Sequence, residues 1–251
     1  MKKVIAPLLT CSLLVTIPSF ALAEETTSEK TEEVSQTESL DKEVQEIVNE
    51  IDKKQDLDKE SQALAEQEIE KLLKKGNEIV QERDARIQQA KSSQPQFSTM
   101  SATNGEFTHV IVRIYFEENL KYAKEIKASY DNLKKSDAVL AETIRASVFT
   151  HLVKPGGDWD LKQDKLLGYY PEYYFLGVPR TGEFIGNAHY GYTGTAVGYG
   201  PITLKSAGGL LQLIKLTSDA TFNKSYFDDP KDTAAIGYGI AVYESGITFK
   251  R

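Results

Sequence analysis

Apolar residues recur at helical spacing through most of the chain. Leu40, Val44, Ile47 and Ile51 alternate at steps of four and three, and Leu64, Ile69, Leu72, Leu73, Ile79, Val80 and Ile87 continue the pattern less regularly. Steps of three and four return to one face of an α-helix. The spacing predicts helices over 40–55 and 58–91, the second crossing Gly76. Such helices would pair as a hairpin, self-associate as a coiled coil, or stand as a solvated stalk. Leu120, Ala123, Ile126, Tyr130 and Leu133 predict a helix over 117–135. Leu140, Ile144, Val148 and Phe149 predict another over 137–152, with Ser136 or Asp137 as its cap. The β-branched and aromatic run from Phe107 to Phe116 reads either as a short strand or as the first turn of the helix behind it. Residues 169–184, aromatic and split by Gly177 and Gly182, predict a short hairpin or an ordered loop. Ile202 to Leu216 is strongly apolar, and Asp229-Pro230 opens a last helix reaching about Glu244, because proline is tolerated where the first N–H has no partner. The expected fold class is mainly α, or α+β if the hairpin forms, with a helical N-terminal stalk followed by a compact C-terminal domain.

Composition divides the chain at about residue 100. From Glu24 to Met100 there are 20 acidic and 11 basic residues; from Ser101 onward there are 17 of each. All 13 tyrosines, the single tryptophan and every glycine except Gly76 lie in the second part, so the residues that build a compact core concentrate there. The first 23 residues read as a secretory signal peptide: Lys2 and Lys3, an apolar run, then Ala21-Leu22-Ala23 before Glu24. Residues 24–100 read as an acidic presentation region, helical or disordered, ending in a Ser/Gln-rich linker over about 92–104. Residues 101–251 read as the effector domain. The expected location is secreted, with no stable membrane insertion after cleavage. The lone Cys11 falls within the signal, so a mature chain from Glu24 has no thiol chemistry. The net charge of −7 argues against an extended surface for duplex DNA.

Three motifs carry candidate chemistry. The first runs from Lys154 to Lys162. Gly156 and Gly157 permit close approach to a ligand or a tight turn. Lys154, Trp159 and Lys162 would contact a phosphate or a base, with Asp158 or Asp160 as an acid/base group. Equally, the motif is a turn whose tryptophan packs inward. The second runs from Gly186 to Gly194. His189 is the side chain there suited to proton transfer near neutral pH, Asn187 would orient it or bind a phosphate oxygen, and Tyr190 and Tyr192 would stack on bases. The alternative is a packed glycine-rich helix, with Gly191, Gly194 and Gly198 on one face and a hydrogen-bonded structural histidine. The third runs from Ser225 to Asp232. Asp228 would support His189, or Asp228, Asp229 and Asp232 would hold a divalent cation. Acids at a helix N-terminus also account for Asp229 and Asp232 without a ligand.

Together with Ala207-Gly208-Gly209 and Gln212, these motifs resemble, in order, the bacterial polymorphic toxin type 44 domain over about 138–244. The family carries an acidic residue shortly before the Gly-Asn pair; this chain departs from that pattern, with Glu183 three residues before Gly186 and Phe184-Ile185 between them. The resemblance implies an RNase toxin delivered by secretion and neutralised by an immunity protein. On that expectation His189, Asp228 and Asp158 are catalytic, no metal is required and RNA is the substrate; separately, the apolar spacing offers the 40–91 helices as a surface for self-association. Two other classes fit the same residues: an envelope-acting hydrolase on peptidoglycan or its precursors, and a non-enzymatic surface-binding module.

Overall fold

The computed structural model describes residues 41–47, 49, 59–93, 102–167, 172–205, 230–247 and 249. In chain order the elements are α1 (41–47), α2 (Lys59–Ser92), α3 (Ala102–Leu133), α4 (Ala138–Val153), β1 (Tyr173–Phe175), β2 (Val178–Arg180), α5 (Gly182–Val197), α6 (Pro201–Lys205) and α7 (Pro230–Glu244). The fold is mainly α with one short antiparallel hairpin, in which Tyr173 pairs with Arg180 and Phe175 with Val178. Gly177, at φ +78°, makes the turn between the strands.

The run from Phe107 to Phe116 is helical, continuous with the helix behind it. Its β-branched and aromatic character reflects burial: Phe107, Ile111, Val112, Ile114, Tyr115 and Phe116 are all core residues. A helix covered on most sides needs apolar residues on most sides, and that erases the amphipathic period. Accordingly α3 is the central element, packed against α2, α4, α5 and β1. Asp137 caps α4 by accepting from the Leu140 N–H at 2.9 Å.

The compositional border at residue 100 is not a border in packing. Along α2, Ala65, Leu72, Gly76, Ile79, Arg83 and Ile87 are buried. Leu72 and Ile79 share a core with Tyr122, Phe149 and Trp159, while Ile87 joins a second cluster with Phe116, Phe175 and Tyr192.

The tightest crossing joins α5 and α7. A Cβ at Gly191 would collide with the Ile236 carbonyl oxygen, and one at Gly239 with the Ala188 carbonyl oxygen. Asn187 meets Asp232 and Tyr192 stacks edgewise on Tyr243, so contacts advance together along both helices. The two helices therefore run parallel, with their N-terminal ends side by side. Gly239→Ala should cost about 1–3 kcal/mol by overpacking this crossing. A thermal melt checks it, with exposed Ala241→Ser as control; equal melting of Gly239→Ala and the parent would contradict the crossing.

Candidate functional site

The first motif is a turn that closes off α4. Lys154 ends the helix, its N–H bonded to the Thr150 carbonyl. The chain then folds back: Gly157 N–H donates to the Lys154 carbonyl at 2.8 Å and Trp159 N–H to the Leu152 carbonyl at 2.9 Å. Gly156 sits at φ +75°, and a Cβ at Gly157 would strike the carbonyls of His151 and Leu152. Both glycines are therefore required by the turn itself. Asp160 is buried and accepts from the Gly156 N–H at 3.0 Å, while Asp158 is exposed. Trp159 is 2% exposed, edge-on to Tyr122 and Phe149.

The second motif is the body of α5, capped by Thr181, whose hydroxyl accepts from the Phe184 N–H. His189 is 0% exposed and lies edge-on to Phe116 and Trp159. Asn119 Nδ2 donates to its Nε2 at 2.9 Å, which leaves the proton of the neutral ring on Nδ1. That Nδ1, Asn119 Oδ1 and Trp159 Nε1 are buried without a hydrogen-bond partner among the described residues. Burial, reinforced by the Arg83 guanidinium, pushes the His189 pKa down to about 3. The imidazole is thus neutral at physiological pH and sealed from solvent. His189 does not face a ligand-accessible surface with the Gly156-Gly157 turn, because its face of α5 is turned onto α3; Asp228, the expected support for it, lies outside the described residues. The expected stacking surface is likewise taken up by the core. Tyr190 packs on Phe149, and Tyr192 is enclosed by Phe116, Tyr243 and Phe249.

The motifs do meet, one helical face away from His189. Asn187 Nδ2 donates to Asp232 Oδ1 at 2.6 Å, joining the second motif to the third. Lys162, from the first, lies across Gly186: a Cβ there would stand 2.7 Å from Lys162 Cγ. Asp232 and Lys162 are half-buried, and Glu183 is exposed one turn before Asn187. Because α5 and α7 are parallel, these groups gather where two helix N-termini coincide, a place that favours negative charge. The arrangement supplies a carboxylate for proton transfer, an amide that fixes its orientation and an ammonium group. Asp229 and residues 207–212 lie outside the described residues, as does Asp228. No group of three His, Cys, Asp or Glu side chains able to hold a metal occurs among those described.

Sequence reading missed Asn119 and Arg83. Asn119 is one polar position inside a helix of mixed character, and Arg83 sits in the acidic N-terminal part, so neither carried a motif. Asn187 and Asp232 were legible separately; only the parallel packing pairs them.

The buried histidine sets a pH dependence. Unfolded chain binds a proton on His189 as pH falls through 6.5, whereas the folded ring does not until about 3. Its contribution to stability is therefore full above pH 6.5 and is lost progressively as pH falls toward 3. Urea midpoints should fall between pH 6.5 and about pH 5, above the carboxylate range, in the parent chain. The fall over the same window should be smaller in His189→Gln; an equal slope in both would contradict a buried neutral imidazole.

No helix among the described residues is long and apolar enough to cross a membrane. No curated protein and no solved structure matches the chain. The three motifs, their order and the α5–α7 packing that joins them fall within residues 148–245, which match the family model for bacterial toxin 44, a bacterial toxin domain.

Proposed function

We propose that the toxin domain cleaves RNA without a metal, working from the α5–α7 end. The observation that carries this reading is the Asn187–Asp232 hydrogen bond, with Lys162 laid over Gly186 beside it. Asp232, oriented by Asn187, takes the proton of the ribose 2′-hydroxyl. The 2′-oxygen then attacks the adjacent phosphorus, the bond to the 5′-oxygen breaks, and that oxygen leaves with a proton from solvent. Lys162 and the two helix N-termini offset the charge that builds on the phosphate. His189 has a positioning role here, holding α5 against α3, in place of the base role that its titration range suggested. Asp158 is exposed and free to contact substrate, as Asp228 is expected to do from the segment entering α7. Export through the 1–23 signal and neutralisation by an immunity protein complete the reading.

A second reading is favoured by one observation. Asp232 and Glu183 bring two carboxylates to the same end of the helix pair. Paired carboxylates suit glycosidic or peptide hydrolysis in the cell envelope.

Purified protein should degrade single-stranded RNA equally with and without EDTA. Asp232→Asn should lower the rate by about 10²–10⁴-fold, the contribution of a general base, and the exposed His151→Ala should leave it unchanged. Intact RNA together with soluble fragments released from peptidoglycan would move the assignment to the envelope. An Asp232→Asn protein with full toxicity would leave only a binding module.

A further inference from the structure

The helices α1 and α2 are held on the rest of the chain by contacts of three kinds. The first is apolar: Val44 and Ile47 of α1 and Leu72, Ile79 and Ile87 of α2 are buried. Gly76 receives the ring of Tyr122 so closely that any side chain there would collide with it. The second is ionic. Arg86 of α2 bonds Glu117 at 2.8 Å and pairs with Glu118, whose side chain is 0% exposed. Glu43 of α1 accepts from Lys134 Nζ and from the Tyr130 hydroxyl, both at 3.0 Å. The third kind grips residues inside the matched region. Asp41 accepts from the N–H groups of Ile202 and Thr203 at 3.0 and 2.9 Å and from the Thr203 hydroxyl at 2.7 Å, capping α6 from elsewhere in the chain. Arg83 reaches across to the Asp158 carbonyl at 3.4 Å and lies over the Tyr115 ring.

A solvated arm would not place a buried arginine, a buried glycine and a helix cap against the domain it carries. Nor would an arm compress its small residues against an aromatic ring. The geometry points to an interaction surface on the part of the chain from α3 onward, which includes the toxin match, built from the outer faces of α3 and α4 and the start of α6, whose partner is the chain's own 41–92 segment. The contacts are non-covalent, dispersed along both helices and independent of the backbone link between α2 and α3. The segment therefore stays bound as a brace when that link is cut, and cleavage there does not liberate a free effector. This inference rests on packing alone and is unaffected if the RNA reading fails.

The test uses the full secreted chain with a specific protease site placed within 94–101. After complete cutting of the folded protein, the two pieces should elute together from gel filtration without denaturant. Emission from Trp159, the one tryptophan of the chain, should be unchanged, since it lies under Tyr122. Separation of the pieces on native gel filtration would overturn the proposal. Gly76→Leu in the cut protein should release the N-terminal piece and shift Trp159 emission to the red. Asp41→Asn, which keeps the side chain's size, should weaken retention of that piece in salt more gently. If neither variant changes co-elution or emission, the contacts described do not hold the brace.

Discussion

The close parallel crossing of α5 and α7 is the constraint on which the rest of the molecule depends. Backbone meets backbone there, because Gly191 and Gly239 leave no side chain between the helices. Everything at the α5–α7 end follows from that spacing. Asn187 reaches Asp232 because the helices are close, and the two N-termini coincide because they are parallel. The other side of α5 is then free to face α3, and the residues on that side become core. Tyr199 and Gly198 complete the arrangement: Gly198 ends α5 in a left-handed conformation, and its carbonyl accepts from the buried Arg145 at 3.1 Å.

Much of this was legible in the residues. Pro230 marks the start of α7, Gly177 marks the hairpin turn, and Asp137 caps α4, each because one local conformation demands that residue. Within the described residues, the helices over 41–47 and Lys59–Ser92 follow from their apolar spacing. The segment 107–116 stayed ambiguous for a physical reason: burial on most sides replaces the helical period with a run that a buried strand would also show.

The candidate site was legible in its parts, and its expected centre, His189, is buried. His189 and Asn187 are two residues apart, which on a helix of 3.6 residues per turn is about 200° of rotation. One of them can face α7 and the other α3, and the sequence does not say which. Histidine's titration range pointed to His189 as the reactive group, yet location decides protonation, and the location is a ring-lined interior. The tryptophan and tyrosines of the motifs were drawn inward by the same logic, as large rings that a small helical domain uses for its core. The division at residue 100 likewise reflects composition, since an acidic outer face and a buried inner stripe coexist on one helix.

The central claim is that the second and third motifs form one centre through Asn187 and Asp232. A double-mutant cycle on unfolding free energy, using Asn187→Ala, Asp232→Ala and the pair, tests it most directly. Residues in direct hydrogen-bonded contact show coupling of about 0.5–3 kcal/mol, and the account predicts a value in that range. Additive effects, with coupling near zero, would mean that the two helix ends do not meet and that no shared centre exists there.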